Sequence, residues 1–467
     1  MNMNLDKRAR RQSFRIIVSE IVMVLSVVAM VAILALAVSG YWLNSDFSLE
    51  RQGMIQVYSI PTGASVSVDD NEPWFQHTNT SKVITSGEHT ITLTKEGYDS
   101  WSKTVNISEG LLYRLHYPHL FPLEREKESV FDTTTATFAT VSPNRKLLLL
   151  ANNTTIWSVL NLDSDTIKST DINISKIFSP INADAEPAVD VEPVSELFNG
   201  EIISAEWDQS NEHVLLKINK DNSIEWVLLN IKKPENSVNL TRDFADEFSD
   251  IKIFDSSANN LLAIRKGNLH KIDVYARQIS AILAENVSNF DFYDSEIVFA
   301  TNNDIKILKN STPELVKTTE STAKVLIGKF YETSYIFTIE GNNISVYQKD
   351  DLEEIFNATI SFIPENIKIG HDSEFIVMNS GANFATLDME SMAMREWSTD
   401  STNFGWVNNY MIYAINDGEL AVYDFDGLNR RKLASNVSNR FLATITNDKW
   451  LYYFSDDQLI REWLIVR

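Results

Sequence analysis

The sequence predicts an all-β protein behind one transmembrane helix, and three observations support this fold class. A long apolar run, residues 16–38, follows a group of basic residues. From Met54 onward, apolar and polar residues alternate with the period of half-buried strands. From Glu124 onward, pairs of short strands recur at a regular spacing, which indicates repeated β-units. We therefore expect an anchor, a small β-sandwich and a β-propeller, in that order.

The apolar run is long enough to cross a membrane, because about 20 apolar residues span a hydrocarbon core of roughly 30 Å. Basic residues before the run and aromatic residues after it predict a cytoplasmic N-terminus and exported C-terminal domains. These flanking residues are Arg10, Arg11, Arg15, Tyr41 and Trp42. We predict a cytoplasmic basic tail over 1–15, a transmembrane helix over 16–40 and a tether over 41–52.

A cleaved secretory signal is the alternative interpretation of the same run. Ala37, Val38 and Ser39 supply small residues before Gly40. The apolar cores of secretory signals are about 7–15 residues long, and this one is longer, so we expect an uncleaved anchor. Both interpretations export the bulk of the chain.

Composition limits what the exported part can be. The chain has 467 residues, 44% of them hydrophobic, which is enough for two or three folded domains. It has no cysteine, which excludes disulfides and thiol catalysis and suits a bacterial surface better than a eukaryotic one. Its net charge of −23 disfavours nucleic acid as a partner, because the phosphate backbone would be repelled.

Alternation between Met54 and Tyr117 predicts a small antiparallel sandwich. Two sheets would each bury one face against the other and leave the alternate residues in water. The predicted strands centre on Ile55 and Val57, on Val66 and Val68, and on residues 89–93, 101–107 and 111–117.

This stretch resembles the PEGA domain, which is named after a Pro-Glu-Gly-Ala turn. The turn is here Pro61-Thr62-Gly63-Ala64, and Gly87, Gly97 and Tyr98 complete the family motifs. Between Glu72 and Val83, the Gly-x-Thr-Pro motif usual in the family is not recognisable. The resemblance, over residues 53–123, implies a non-catalytic β-sandwich common on prokaryotic envelope proteins.

Internal repetition predicts a β-propeller over 124–467. After the second pair, strand pairs recur about every 36–47 residues, close to the roughly 40–45 residues of a four-stranded blade. Eight units fit this spacing, and seven remain possible. The predicted pairs are 147–150 with 155–159, 214–217 with 226–229, 261–264 with 269–272, 297–300 with 305–308, 335–338 with 344–347, 375–378 with 385–387, 411–414 with 420–423 and 450–454 with 459–464.

The last unit has no fourth strand before Arg467. A ring of blades must pair its final edge or leave backbone groups exposed. We therefore expect residues 127–132, which precede the first unit, to supply the missing outer strand. Each unit also has a plausible first strand, such as 137–141 or 441–445, and most have a fourth, such as 277–283 or 431–434.

Two short segments, residues 141–149 and 422–433, resemble the repeats of TolB-type propellers. This resemblance implies the architecture and a general binding role. An acidic, Pro-containing stretch over 169–200 widens the spacing between the first two units, and we interpret it as a loop insertion. It is either a binding loop or a tolerated surface insertion.

No catalytic motif is recognisable in the sequence. A Gly-x-Ser-x-Gly turn, a His-Glu-x-x-His helix and a phosphate-binding glycine loop do not occur. The pair His116 and His119 is interpreted as a feature of a linker. Asp-rich segments at 163–165 and 424–427 are interpreted as hairpin turns rather than calcium sites. We assign no catalytic, cofactor-binding or metal-binding residue, and no cofactor.

Large aromatic residues at strand positions are expected to pack between blades; they include Trp157, Trp226, Trp406 and Tyr423. The predicted protein is a single-pass membrane protein that binds a protein or glycan partner in the cell envelope without catalysis. Two alternatives stay open: a propeller hydrolase or lyase that uses acidic residues in the central channel, and a structural scaffold of an envelope assembly. The sequence leaves the oligomeric state open.

Overall fold

A computed structural model describes residues 3–38, 41–43, 49–69, 77–178, 197–254, 258–309, 312–370 and 373–465. It has one long N-terminal helix followed mainly by strands, so the predicted fold class is confirmed. The chain forms two compact units, Met1–Leu123 and Glu124–Arg467.

The N-terminal helix α1 extends over Met3–Val38. Within it, Val18–Leu36 is 19 residues long and sufficiently apolar to cross a membrane, and none of it is buried against the rest of the chain. At about 1.5 Å per residue, this segment spans nearly the thickness of a hydrocarbon core. The helix also includes most of the basic segment that the sequence predicts as a tail.

The tether predicted over 41–52 is wrong in part, because strands occupy both of its ends. Strands β1 (Tyr41–Leu43) and β2 (Leu49–Val57) pair antiparallel, with Tyr41 opposite Arg51. Strand β1 has only three residues, which is too short to show alternation in the sequence. Its pairing with β2 is a tertiary contact that the local pattern does not reveal. Residues 44–48 of the predicted tether lie outside the described residues.

The sandwich consists of two sheets. One contains β1, β2 and β4 (Thr80–Thr85), with β7 (Leu112–Leu115) on β2; the other contains β3 (Ser65–Val68), β5 (Gly87–Thr94) and β6 (Trp101–Ile107). Ile55, Leu93 and Trp101 are fully or almost fully buried between them. The expectation of an entirely antiparallel sandwich is wrong, because β7 runs parallel to β2. Sequence alternation does not reveal strand direction.

Eight four-stranded sheets, called blades 1 to 8 in chain order, form the described part of the second unit. This confirms the favoured count of eight. Blades 1 to 4 consist of β9 (Ala136–Val141), β10 (Leu147–Asn152), β11 (Ile156–Asn161) and β12 (Lys168–Asn173); β13 (Gly200–Trp207), β14 (His213–Lys220), β15 (Ser223–Asn230) and β16 (Val238–Asn239); β17 (Phe248–Ile253), β18 (Asn260–Arg265), β19 (Asn268–Asp273) and β20 (Gln278–Ile279); and β21 (Asn289–Tyr293), β22 (Glu296–Ala300), β23 (Asp304–Lys309) and β24 (Thr312–Thr318).

Blades 5 to 8 repeat the same order. They consist of β25 (Ala323–Phe330), β26 (Thr333–Glu340), β27 (Asn343–Gln348) and β28 (Glu354–Thr359); β29 (Asn366–Ile369), β30 (Phe375–Ser380), β31 (Asn383–Asp388) and β32 (Ala393–Ser398); β33 (Phe404–Trp406), β34 (Met411–Asn416), β35 (Glu419–Asp424) and β36 (Arg431–Ser435); and β37 (Thr444–Thr446), β38 (Trp450–Ser455), β39 (Gln458–Trp463) and β8 (Lys127–Asp132). Short helices α2 (Ser175–Phe178), η1 (Pro234–Asn236) and α3 (Leu240–Asp243) lie in connections.

The blades form a closed ring. Apolar clusters join each blade to the next from blade 1 through blade 7, and another joins blade 8 to blade 1. Between blades 7 and 8, the backbone N–H of Ile445 donates to the carbonyl of Val407 at 2.7 Å. The first strands of blades 4 and 5, β21 and β25, contact each other directly, whereas fourth strands such as β12 and β32 are mostly exposed. The first strand of each blade is therefore innermost, facing the central channel.

Strand β8 closes the ring, as the sequence predicts. It pairs antiparallel with β39 of the last blade, with Phe131 opposite Leu459. Arg461 of β39 is 4% exposed and donates to Glu128 of β8 at 2.8 Å from Nε. Its Nη1 donates to the carbonyl of Ser164 in blade 1 at 3.0 Å. One side chain thus links the first and last blades to the closing strand.

The loop insertion predicted over 169–200 begins later in the structure than predicted. Strand β12 continues to Asn173 and α2 follows it. Strand β12 is mostly exposed, so its polar sequence does not show the apolar alternation that identifies a half-buried strand. Residues 179–196 of the predicted insertion lie outside the described residues. Two other predicted strands, 277–283 and 441–445, are shorter in the structure, as β20 and β37.

Candidate functional site

The PEGA motif residues form turns at both ends of β5. Gly63 and Gly97 adopt φ of +80° and +78°, which side chains disfavour. The ammonium of Lys95, at the end of β5, donates to the carbonyl of Thr62 at 2.7 Å, which places the Pro61–Ala64 turn near Gly97 and Tyr98. Gly87 begins β5 and lies at the opposite end of that strand. The structure therefore does not gather these residues into one site.

The histidines do not lie in a linker, so that interpretation is wrong. The backbone N–H of Ile60 donates to the carbonyl of Pro118 at 2.9 Å, and the N–H of Leu120 donates to the carbonyl of Ile60 at 2.7 Å. His119 is 1% exposed and its ring stacks on Phe121, with centroids 4.6 Å apart. These backbone bonds attach the segment to the sandwich. In the described ranges, no group of three or more His, Cys, Asp or Glu is arranged to hold a metal ion.

Both Asp-rich segments are turns held by protein groups. Asp163 accepts from Lys146 at 2.5 Å, and Asn447 of blade 8 also donates to it. Asp424 accepts from the side chain of Asn429 at 2.8 Å, and Gly427 closes the turn with φ of +78°. The turn interpretation of these segments is confirmed.

The aromatic residues singled out in the sequence have two kinds of environment. Trp157, Trp226 and Tyr423 are buried in clusters between neighbouring blades, as predicted. Trp406, at the end of β33, is only half-buried. The ammonium of Lys368 lies 4.7 Å from the centroid of its ring.

Carboxylates on the innermost strands bond to the neighbouring blade. Glu206 of β13 accepts a backbone hydrogen bond from Ile253 of β17. Asp291 of β21 accepts from the backbone N–H of Ile327 in β25 at 3.0 Å. An innermost strand has no further strand to pair with on its channel side, so its N–H groups need other acceptors. These carboxylates therefore help to hold successive blades together.

The same carboxylates form an electrostatic cluster on blades 2 to 4. Lys252 of β17 forms an ion pair with Asp291 at 2.9 Å. Burial raises the pKa of Glu206 to about 7, and Lys252 opposes this rise. Burial also raises the pKa of Asp250. Glu206 is an exposed residue of β13, yet the surrounding blades limit the hydration of its carboxyl.

Replacing Glu206 with Gln should change the pH dependence of stability. The carboxyl has an ordinary pKa of 4.5 and a pKa of about 7 in the folded chain. The folded state therefore holds its proton more tightly, and stability should fall as pH rises between these values and then level off. Urea unfolding midpoints across this range should fall less steeply in Glu206→Gln than in the wild type. Glu201→Gln, on an exposed position of the same strand, is the control; equal slopes in all three proteins would contradict the assignment.

A second group of charged side chains consists of two cations, one from blade 1 and one from blade 6. Arg145 occupies the turn after β9 with φ of +58°, a conformation that costs an L-residue roughly 1–2 kcal/mol. Its Nη1 donates to the carbonyl of Trp406 at 3.2 Å and to Thr444 Oγ1 at 3.3 Å. Lys368 of β29 lies within electrostatic reach of this guanidinium. We call Arg145 and Lys368 the cation pair.

The protein environment weakens the charge of both members. Burial lowers the pKa of Arg145 to about 10. Lys368 is exposed, but the blades around it limit the hydration of its ammonium and lower its pKa to about 8; repulsion from Arg145 adds to the decrease. The cation pair was not predicted from the sequence, because Arg145 belongs to a turn motif and Lys368 belongs to a short strand.

Comparisons with known proteins agree with the sandwich assignment. The PEGA domain family matches residues 52–118, which confirms the resemblance. PEGA domains are extracellular. No curated protein sequence matches the chain.

Several solved β-propellers are distantly similar. The β-propeller domain of Cps50 (Swd1) from Myceliophteria thermophila is 8% identical with a TM-score of 0.41, over 73% of this chain and 100% of that chain. Hsv2 from Kluyveromyces lactis is 12% identical with a TM-score of 0.37, over 54% of this chain and 89% of its own. The same protein with loop 6CD replaced by a Gly-Ser linker is 13% identical with a TM-score of 0.38, over 54% and 88%. The blade assignment rests on the sheet order and the closed packing of the ring. The chain thus contains a PEGA domain at residues 52–118, followed by a β-propeller that has eight blades in its described residues.

Proposed function

We propose that this protein is a membrane-anchored, extracytoplasmic binding protein without catalytic activity, whose propeller presents a surface for a protein or glycan partner. The observation that carries the proposal is the arrangement of ionisable side chains on the innermost strands. Glu206, Asp250 and Asp291, on the first strands of blades 2 to 4, lie within electrostatic reach of one another, and Lys368 of blade 6 lies within reach of Arg145 of blade 1. Preformed concave sites with a few converging polar groups are typical of ligand binding.

The proposed topology places the helix in the membrane and the propeller outside the cell. Basic residues before the apolar segment and aromatic residues after it support this orientation. The extracellular location of PEGA domains supports it as well. Protease added to intact cells should remove a C-terminal epitope while a cytoplasmic marker remains intact. A protected epitope, in cells whose known surface proteins are digested, would show the opposite orientation.

Affinity capture from detergent-solubilised membranes tests the binding role. The full chain should recover a partner that a chain ending at Leu123, after the first compact unit, does not recover. Recovery by both chains would place the interaction outside the propeller. A partner recovered in fixed stoichiometry, even after high-salt washing, would favour the scaffold alternative.

A propeller hydrolase or lyase is the second candidate, and Glu206 is the observation that favours it. A carboxyl with a pKa of about 7 can hold a proton for a general-acid step near neutral pH. The purified chain should then release reducing ends from a panel of acidic and neutral polysaccharides. Glu206→Gln should abolish this release and Glu201→Gln should preserve it. If a correctly folded chain releases no reducing ends from any of these polysaccharides, the result argues for the non-catalytic proposal.

A further inference from the structure

The cation pair differs from Lys252 and Arg125, two partly buried cations of the ring, in having no acidic partner. Lys252 pairs with Asp291 at 2.9 Å, and Arg125 pairs with Glu462 at 3.0 Å. Among the described residues, neither Arg145 nor Lys368 forms an ion pair with a carboxylate. Buried or half-buried cations are normally compensated, because charge removed from water is costly.

The surroundings of Arg145 also leave hydrogen-bonding capacity unused. Its Nε is buried without a hydrogen-bond partner, while Nη1 reaches a carbonyl and a hydroxyl oxygen at 3.2 and 3.3 Å. These are neutral acceptors at long distances, so they compensate the positive charge weakly. The backbone of Arg145 additionally holds a disfavoured positive φ. The guanidinium therefore lies beside another cation without a charged acceptor, which is electrostatically costly.

Lys368 supplies the accessible half of the site. It is exposed on an innermost strand, and the face of Trp406 lies 4.7 Å beneath its ammonium. The contact with the ring positions the ammonium, but the ring carries no negative charge to neutralise it. A negatively charged ligand entering the channel can therefore contact Lys368 first, and the positive charge of Arg145 attracts it as well.

We propose that Arg145 and Lys368 form an anion site in the propeller channel that binds a phosphate group, either as the free ion or as a monoester on a larger molecule. Two adjacent cations match a group that carries a charge of about −1.5 to −2 at neutral pH, whereas a single carboxylate leaves one cation uncompensated. A guanidinium and an ammonium are also the side chains that most commonly bind phosphate. The inference names a ligand class for the channel, and it rests on the proposed binding role of the propeller.

Calorimetric titration of the full chain in detergent tests the site. The probes are inorganic phosphate, glycerol phosphate, malonate and acetate, at constant ionic strength and neutral pH. Both phosphates should bind the wild type, and acetate should not. Glycerol phosphate binding more tightly than inorganic phosphate would identify a monoester as the source, and equal affinities would identify the free ion. Malonate binding as tightly as phosphate would overturn the choice of phosphate.

Variants decide whether the cation pair is the site. Lys368→Met and Arg145→Gln should each weaken phosphate binding at least tenfold. Lys329→Met is the matched control, because Lys329 lies on the neighbouring innermost strand β25 and is paired with Glu332; it should bind phosphate like the wild type. If Arg145→Gln fails to fold, Lys368→Met, on an exposed side chain, still decides. Phosphate binding that survives in folded Lys368→Met, or that is absent from the wild type, overturns the proposal. A partner captured by a wild-type chain that does not bind phosphate would leave the broader binding role standing.

Discussion

Replacing β8 with a Gly/Ser segment of equal length is expected to destabilise the propeller by more than about 4 kcal/mol. The change removes the packing of Val130 and Phe131 against the cluster between blades 8 and 1. It also weakens the backbone pairing with β39, because flexible Gly residues lose more conformational entropy when they form a strand. Each backbone hydrogen bond contributes roughly 0.5–1.5 kcal/mol, and the lost apolar burial adds to their sum. Urea unfolding of the full chain, followed by far-UV circular dichroism, measures the loss.

The same replacement should also expose an aggregation-prone edge. Strand β39 would present unpaired backbone groups, and Arg461 would lose its carboxylate partner Glu128. Sedimentation should therefore show oligomers that the wild type lacks.

Strand β28 of blade 5 is the matched control for β8. It is also an outermost strand of six residues, but it joins no chain ends. A Gly/Ser replacement there should cost less and leave blades 8 and 1 together. If the two replacements destabilise the chain equally, β8 is an ordinary outer strand and not a closing element.

Replacing Trp157 with Ala should destabilise the chain by about 3–5 kcal/mol, because the variant leaves a cavity between blades 1 and 2. Trp157 is 0% exposed, and its ring packs edge-on against Phe198 with centroids 5.4 Å apart. Its Nε1 also donates to the carbonyl of Thr154 at 3.0 Å. Thermal and urea unfolding measure the change.

Tyr275→Ala serves as the control for Trp157→Ala. Tyr275 is 73% exposed, so its truncation removes an aromatic ring without opening a cavity, and the change should stay within about 0.5 kcal/mol. A similarly small effect of Trp157→Ala would mean that the two blades do not depend on this contact.

The sandwich shows which parts of a fold local pattern can predict. Strands with clear alternation, such as β5 and β6, were predicted because every second side chain is buried. Strand β4 was missed, since its Ser, Thr and Lys residues hide the period. The parallel direction of β7 was missed as well, because both directions have the same alternation.

The candidate site was predicted far less well than the fold. No site residue in the propeller was predicted from the sequence. The enzymatic alternative depended on acidic residues in the central channel, which the sequence alone could not locate. The structure brings Glu206, Asp250 and Asp291 into mutual electrostatic reach on three successive blades. Neither that cluster nor the cation pair follows from any single stretch of sequence.

By itself, the sequence determined the apolar helix, the PEGA domain, the repeated β-units and the strand that closes them, and the structure fixed their number at eight in the described residues. These features depend on period, length and turn residues, which are local properties of a chain. Only the tertiary structure decided that Arg145 and Lys368 meet. Their blades are the first and the sixth, and a ring places side chains from distant repeats around one axis. Whether each of those charges has a partner depends on that geometry, which the repeat pattern does not encode.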